Sequence, residues 1–439
     1  MADAFPRRLA QAPHRLLFFV GAANVLLAMA WWATWLVDAR WQLFGLRQPQ
    51  PWAGWLHAFV MQYQVFPSFV FGFLLTVFPK WMALPDIPRA RYLPVGIGVF
   101  GGHLLTIAGA FGWAPGIRIG FWLTLAGWLV AIATLGPLLW RERGTTWTAR
   151  ACFGALLLGL AGMVAWGLFL HGGDARMAFA SIKLGTFGLL LPVYFSVAHR
   201  MFPFFAGNVV GGYVAWRPLW LLGAVLALCL AHLGLELAHA YAWLWLADLP
   251  LLALSCVALW KWWPPGPVPG ILRVLFAGLA WLPAAIALYA FQSLAYASTS
   301  QFLLGRGPAH ALFIGLAWLP LAIALYAFQS IAYELTGSFL LGRAPAHALF
   351  VGFFGSVLVA MVTRVTQGHS GRKLVMPKAA WFAFVAIQLV ALMRIFAEVL
   401  PDNMAWQAAA AVGWLVAFAP WVARIGRIYL SPRVDGKPG

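Results

Sequence analysis

Residues 16–37 read LLFFVGAANVLLAMAWWATWLV, an apolar run without a charged residue. Its length matches the roughly 20 residues with which a helix crosses the hydrocarbon core of a bilayer. The run follows Arg7, Arg8 and Arg15, but it is too long for the apolar part of a signal peptide. We therefore interpret it as the first membrane helix and not as a cleaved leader.

Similar runs recur along the whole chain. The 439 residues are 63% hydrophobic and 9% charged, whereas a soluble domain carries about 25% charged residues. The runs do not alternate between polar and apolar residues, which favours helices over a membrane β-barrel. The sequence predicts an all-α, polytopic transmembrane helical bundle that forms one integral membrane domain over residues 1–439. The predicted spans are 16–37, 53–79, 92–112, 117–140, 150–171, 178–199, 217–239, 241–261, 271–296, 310–333, 346–366, 378–399 and 405–430.

The formal net charge is +18, and the positive side chains lie in short loops between apolar runs. Scattered loop charges form no basic face, so nucleic-acid binding is excluded and the lipid bilayer is the expected partner. The positive-inside rule explains the charges and predicts a cytoplasmic N-terminus. The three cysteines form no CxxC pair, and we interpret them as small buried residues.

A tandem repeat interrupts this pattern. Residues 276–312 recur at 313–349: GLAWLPAAIALYAFQSLAY from Gly278 matches GLAWLPLAIALYAFQSIAY from Gly315. Each copy holds one span, so the fold is predicted as about twelve spans plus one duplicated span. Only a twelve-span topology puts the basic loop 372–378 and the basic C-terminal tail on the cytoplasmic side. We therefore expect that one copy adds no simple membrane crossing.

Ten histidines are the most informative polar residues, because histidine ligates metals and haem iron. In the twelve-span topology, some of these histidines lie near the outer face of the membrane, some near its inner face, and others deeper inside it. His347 and His369 lie on one span, about 33 Å apart at the rise of an α-helix, so they cannot bind one metal ion. We expect one site on each side of the membrane, or one site and one structural histidine. His232 and Glu236 share a helix face.

Other polar residues leave rival functions open. Lys183, Arg364 and Arg394 lie in or beside apolar runs, where they would neutralise haem propionates or reach the lipid headgroups. Glu236 and Asp248 would instead suit proton relay. No Walker, dinucleotide-binding, HExxH or GxSxG motif occurs in a suitable setting, so the sequence does not decide whether the protein is an enzyme. A small-molecule or ion transporter without cofactor, and a scaffold protein, are the alternatives.

Four stretches together resemble the NnrS family of bacterial membrane proteins. They are PHRLLFFVGA from Pro13, GFLLTVFPKW from Gly72, KLGTFGLLLPVYFSVAHRMFPFF from Lys183 and HALFVGFFGSVLVAMVTRVTQGHSGR from His347. They occur in the family's order and span nearly the whole chain. The resemblance implies a twelve-helix protein of the bacterial cytoplasmic (inner) membrane that contains haem and copper. It also implies a role in the response to nitric oxide and nitrosative stress, associated with denitrification.

Residue by residue, the resemblance implies four metal or haem ligands, with three arginines as cofactor-binding candidates. The histidines are His57, His199, His347 and His369, and the arginines are Arg200, Arg364 and Arg372. The chain departs from the family where WHAHEM often opens the second span. Here LHAFVM from Leu56 keeps His57 only, with Phe59 and Val60 in place of a second histidine and a glutamate. His310, in the extra copy, competes with His347, which leads directly into the RVTQGHSGR segment.

Overall fold

The computed structural model describes residues 8–142, 144–265, 268–288, 290, 343–398 and 400–436. Within these ranges the chain is helical, with no strand, and twelve helices are long and apolar enough to cross a membrane. They are α1 (Pro13–Trp41), α2 (Ala53–Trp81), α3 (Arg89–Ala110), α4 (Pro115–Arg141), α5 (Trp147–Leu170), α6 (Ala175–Gly207), α7 (Leu219–Leu237), α8 (Trp245–Trp262), α9 (Gly270–Leu288), α10 (Ala348–His369), α11 (Lys378–Phe396) and α12 (Asn403–Leu430).

These helices confirm the predicted all-α membrane fold and twelve of the predicted spans. The predicted span 310–333, with His310, lies outside the described residues. Proline marks several helix starts: Pro13 and Pro115 occupy the first turn of α1 and α4, where the missing N–H has no intrahelical acceptor to lose. At the start of α6, the Asp174 carboxylate accepts a hydrogen bond of 2.7 Å from the Arg176 N–H and so caps the helix.

Three of the most buried stretches wind as π-helix. They are Val60–Val65 in α2, Leu184–Leu190 in α6 and Ala348–Phe354 at the start of α10. A π turn places one extra residue in the helical turn, widens it locally, and occurs frequently at functional sites. Two of the predicted ligands are adjacent to these stretches, because His57 lies one turn before Val60 and His347 immediately precedes Ala348.

The chain divides into two compact units, and the prediction of a single membrane domain over residues 1–439 stays a prediction. Unit 1 contains residues 1–199, 362–374 and 418–439. In this unit α3 and α4 pack backbone against backbone. A Cβ placed at Gly102 would lie 2.2 Å from the Thr124 Oγ1 and 2.7 Å from the Gly120 carbonyl oxygen. Small residues permit this close helix contact in lipid.

Several chain segments of unit 1 meet at one end. The Arg15 guanidinium donates to the carbonyl oxygens of Tyr429 and Ser431, at 2.7 and 2.8 Å. The Val434 N–H donates to the Ser370 carbonyl oxygen at 3.1 Å. The start of α1, the segment after α10 and the end of α12 therefore share one end. This placement agrees with the twelve-span topology, in which these three segments lie on the same side of the membrane.

Unit 2 contains residues 200–361 and 375–417. Helices α7 and α8 form a hairpin through the short 3-10 turn Tyr241–Trp243. The buried Trp262 Nε1–H at the end of α8 donates to the Trp216 carbonyl oxygen at 2.9 Å. On α11, the Gln388 side chain accepts from the Trp281 indole and donates to the Ser356 Oγ at 2.7 Å. These contacts join α9, α10 and α11 within this unit.

Candidate functional site

Two histidines from different helices are in contact at the shared end of unit 1. His14, in the first turn of α1, and His369, the last residue of α10, have ring centroids 4.2 Å apart at an interplanar angle of 39°. His14 is buried, with 3% of its surface exposed, and its Nδ1 lies 3.5 Å from the Thr76 Oγ1 of α2. The contact brings together two imidazoles, whose nitrogens are good ligands for copper and zinc.

Positive charges surround this pair. Arg15, Lys80 and Arg433 all act electrostatically on His14, and Lys80 and Arg433 also act on His369. Two negative charges oppose them: Asp86 acts on His369, and Asp435 forms an ion pair of 2.6 Å with Arg433. Because like charges repel more strongly in a low dielectric, this surrounding disfavours a divalent cation relative to a monovalent one. It also favours the neutral imidazoles that ligate metals. We call His14, His369, Arg15, Lys80 and Arg433 the basic histidine cluster.

The rings of His14 and His369 are too close for a haem. When two histidines ligate one haem iron, the porphyrin plane lies between them, and each ligating nitrogen is about 2 Å from the metal. Two rings in contact leave no room for the macrocycle. The pair therefore does not fit a bis-histidine haem.

His57 lies in the first part of α2, half-buried against a tryptophan. Its ring stacks on the Trp32 ring with centroids 4.3 Å apart and an angle of 12°. The stacking fixes the plane of the imidazole. His199 is buried near the end of α6, with 2% of its surface exposed.

His347 is oriented by a backbone hydrogen bond. Its Nδ1–H donates to the Arg343 carbonyl oxygen at 2.8 Å, because a carbonyl only accepts. In the neutral ring this bond leaves the lone pair on Nε2. A histidine that donates through one nitrogen and presents a lone pair on the other is the usual arrangement of a haem or metal ligand.

The predicted arginines differ in burial. Arg364 lies within α10 and is 8% exposed, whereas Arg200 and Arg372 are half-buried. The Arg372 Nη1 is buried and forms no hydrogen bond within the described part of the chain. Arg372 also acts electrostatically on Arg15, which places it close to the basic histidine cluster. A buried guanidinium nitrogen without an acceptor suits an anionic group such as a carboxylate.

The π segment of α2 carries a polar network in the interior of unit 1. The Gln64 amide nitrogen donates to the hydroxyls of Thr106 and Thr124, each at 3.0 Å. Its two donors are thus used, so Gln64 Oε1 accepts from the Nδ1–H of His103 at 3.1 Å. The Asn24 amide donates to the Ser68 hydroxyl at 3.3 Å. The His103 Nε2 is buried and forms no hydrogen bond with the described residues.

Some of the residues that the sequence analysis singled out are in contact in the structure, and others are not. Spacing correctly predicts the contact between His232 and Glu236. His14, which belongs to the PHRLLFFVGA stretch, is not among the predicted ligands, yet it contacts His369. The sequence signal that could have identified His14 is its position at a helix end. His14 lies in the first turn of α1, and His369 lies in the last turn of α10. Among the described residues, no group of three or more His, Cys, Asp or Glu side chains is placed to hold a metal ion.

A family model described as NnrS protein matches residues 8–317 and 304–433 of the chain. The two matched segments overlap at 304–317, inside the duplicated region, as expected if the family has one copy where this chain has two. No curated protein and no solved structure matches the chain.

Proposed function

The chain belongs to the NnrS family, and from that premise we propose that it is a haem- and copper-containing membrane protein. Its role would lie in the response to nitric oxide and nitrosative stress, in the inner membrane of a bacterium. Haem iron, when bound, supplies a metal that takes up nitric oxide. The observation that carries the proposal is the contact of His14 with His369 in a chain whose family match covers both residues.

Copper would bind at the basic histidine cluster. Imidazole nitrogens suit copper, and the surrounding cations favour its monovalent form, Cu(I), over a divalent ion. Both histidines belong to unit 1. The Arg15 guanidinium, next to His14, donates to the carbonyl oxygens of Tyr429 and Ser431, and the Val434 N–H of the same C-terminal segment donates to the Ser370 carbonyl oxygen, next to His369.

Haem would be ligated elsewhere. His347 is the candidate ligand in unit 2, and His57 and His199 are separate candidates in unit 1. The Arg343 carbonyl oxygen accepts from the His347 Nδ1–H and orients the ring, so Nε2 is the candidate ligating nitrogen. The adjoining π segment Ala348–Phe354 is buried, and a π turn widens the local helix. Arg200, Arg364 and Arg372 remain the candidates to neutralise the propionates.

The test is a reduced-minus-oxidised absorption spectrum of protein purified in mild detergent after expression with ample haem. We expect a Soret band and sharp bands in the reduced protein. His347→Ala should remove them, and His57→Ala and His199→Ala test the two candidate histidines of unit 1. His171→Ala is the matched control, because His171 is exposed and packs on Trp122.

A flat spectrum would contradict haem binding and would favour the alternative function, a transporter of a small molecule or ion without cofactor. One observation favours that alternative, namely the buried ionisable side chains of Glu236 and Asp248 in membrane helices, since such groups commonly line proton or ion pathways. A transporter would purify without colour and would still contain these carboxylates.

A further inference from the structure

Arg372, in the segment after α10, has a buried guanidinium nitrogen without an acceptor. Its backbone N–H donates to the Gln367 carbonyl oxygen at 3.0 Å, which fixes the backbone in a turn. The Arg372 Nη1 is buried, and it forms no hydrogen bond within the ranges that the structure describes. No carboxylate of these ranges forms an ion pair with Arg372. A buried charged donor without a partner is costly, so an acceptor is expected at this nitrogen.

A second arginine, Arg15, lies close to Arg372. The charge of Arg372 acts on the Arg15 guanidinium, and the C-terminal segment contacts the chain beside both residues. The Arg15 Nη2 donates to the Ser431 carbonyl oxygen at 2.8 Å. The Val434 N–H donates at 3.1 Å to the carbonyl oxygen of Ser370, two residues before Arg372. Backbone hydrogen bonds of one short segment thus keep the two arginines near each other.

The positive charge of this region is not balanced by carboxylates in ion-pair contact. Arg15 is 2% exposed, and its guanidinium donates to backbone carbonyl oxygens, which carry no net charge. Lys80 lies near both histidines of the basic histidine cluster. Among the described residues, neither Arg15 nor Lys80 has an ion-pair partner. Because a buried charge without a counter-charge is unfavourable, a bound anion would stabilise this end of unit 1.

The carboxylate beside this segment pairs with a different arginine. Asp435 lies against Gly371, where an added Cβ would be 2.8 Å from its Oδ2. Both of its carboxylate oxygens accept from Arg433, at 2.8 Å from Nε and at 2.6 Å from Nη2. This two-point contact is the strong arrangement of an arginine with a carboxylate. Although Asp435 is next to residue 371, it therefore leaves the Arg372 guanidinium without a counter-ion.

The place of Arg372 indicates the chemical class of its anion. Helix α10 ends at His369, three residues before Arg372, and the ends of membrane helices lie at the level of the lipid headgroups. The planar guanidinium matches the oxygens of a phosphate group, to which it can donate two parallel hydrogen bonds. A phosphate also has more oxygens than a carboxylate, so that several cations can donate to it at once.

We propose that Arg372, with Arg15 and Lys80 beside it, binds a phosphate group at the shared end of unit 1. The phosphate belongs either to the headgroup of an anionic lipid or to inorganic phosphate from solution. In both cases N–H groups donate to phosphate oxygens, and no covalent bond changes. The site does not depend on haem or copper, and it leaves Arg200 and Arg364 as the candidates for haem propionates.

The test uses full-length protein freed of lipid in detergent. One arm adds inorganic phosphate, with sodium chloride of equal ionic strength as the reference, and follows Tm by helical circular dichroism, because a ligand of the folded state raises Tm. The other arm adds phosphatidylglycerol, with diacylglycerol as the phosphate-free reference, and counts bound lipid by native mass spectrometry. Binding in the first arm identifies free phosphate as a ligand, and binding in the second arm alone identifies the lipid headgroup.

Arg372→Gln should weaken binding of the phosphate-bearing probe about tenfold, since it removes a charged hydrogen-bond donor. The matched control is Lys373→Gln, which removes the same charge from the exposed next residue and should bind as the wild type does. Elution volume verifies that each variant is folded. If Arg372→Gln does not fold, Arg372→Lys replaces it and should also bind more weakly, because an ammonium lacks the fork of donors.

Three results would overturn the proposal. The first is a wild-type protein that binds neither probe above its reference. The second is an Arg372 variant that binds as tightly as the wild type. The third is an equal loss of binding in Lys373→Gln, which would show that the probe responds to total charge and not to this site.

Discussion

The basic histidine cluster and a second cluster, the acidic triad of His232, Glu236 and Asp248, both bury an imidazole near the end of membrane helices, yet their neighbours have opposite charge. Around His14 and His369 lie Arg15, Lys80 and Arg433. Around His232 lie two carboxylates, at 2.6 and 3.4 Å. Each cluster is described within its own unit.

The difference teaches that burial alone does not give a histidine its role. Cations nearby favour a neutral imidazole, whose one lone pair can ligate a metal. Carboxylates nearby favour the protonated ring. We therefore propose metal binding for the first cluster only. The following changes test this contrast, from the largest expected effect to the smallest.

Asp248→Ala should cost the most stability. It removes the 2.6 Å partner of a fully buried histidine, and breaking a buried charged pair costs about 3–5 kcal/mol. Unfolding in detergent micelles, followed by helical circular dichroism, measures the loss. Asp174→Ala is the control, because it removes an exposed helix cap worth about 1 kcal/mol. Equal losses would mean that the triad does not hold its charges in contact.

Gln64→Leu tests a histidine whose neighbour is neither a cation nor an acid. It removes the acceptor of the buried His103 Nδ1–H, which should lower the free energy of unfolding by about 1–3 kcal/mol. Thr106 and Thr124 keep their bonds to backbone carbonyls, so the loss centres on His103. In a Gln64→Leu, His103→Leu protein much of the loss should return. No recovery would contradict the hydrogen-bond assignment.

Lys80→Glu should change metal preference at the basic histidine cluster. Lys80 is exposed, so solvent partly screens its charge. We expect the binding free energy of a divalent ion such as Zn²⁺ to improve by about 1 kcal/mol, which is roughly fivefold tighter binding. Competition titration with a chromogenic chelator measures the affinity. Lys261→Glu, which removes an ammonium that packs on Trp260, should leave the affinity unchanged. If both variants bind zinc as the wild type does, the cations do not select the ion.

Glu142→Gln should have the smallest effect on stability. Glu142 is a carboxylate near water, in contrast to the buried carboxylates of the acidic triad. The Thr145 and Thr146 hydroxyls and the Gly144 N–H donate to this carboxylate and lower the pKa of Glu142. Because the folded pKa is depressed, its stabilisation is present above the unfolded pKa and is lost as the pH falls through the folded value. The variant should therefore show a weaker fall of Tm in acid. An unchanged acid slope would contradict this.

Much of the fold could be predicted from the sequence. An apolar run long enough to cross a bilayer has few alternatives, since every backbone polar group in lipid needs an internal partner. Charge in the loops also predicted the shared side of the N-terminal segment, the loop after α10 and the C-terminal segment. Helical spacing predicted the contact of His232 with Glu236, because residues four apart are neighbours on a helix.

The contacts between distant helices could not be predicted. His14 meets His369 only because α1 begins where α10 ends, and Asp248 meets His232 across a hairpin turn. Neither contact has a local sequence pattern. The π segments beside His57 and His347 were also missed, because an extra residue in one turn arises from packing and leaves the apolar run unchanged.

The most direct measurement is bound copper per protein, determined by elemental mass spectrometry together with X-ray absorption at the copper edge. The account predicts copper in its monovalent form with imidazole ligands in the wild type. It predicts loss of that copper in His14→Ala and in His369→Ala, and its retention in His171→Ala. Copper retained at the wild-type level in both cluster variants would contradict the assignment of the metal to this pair of histidines.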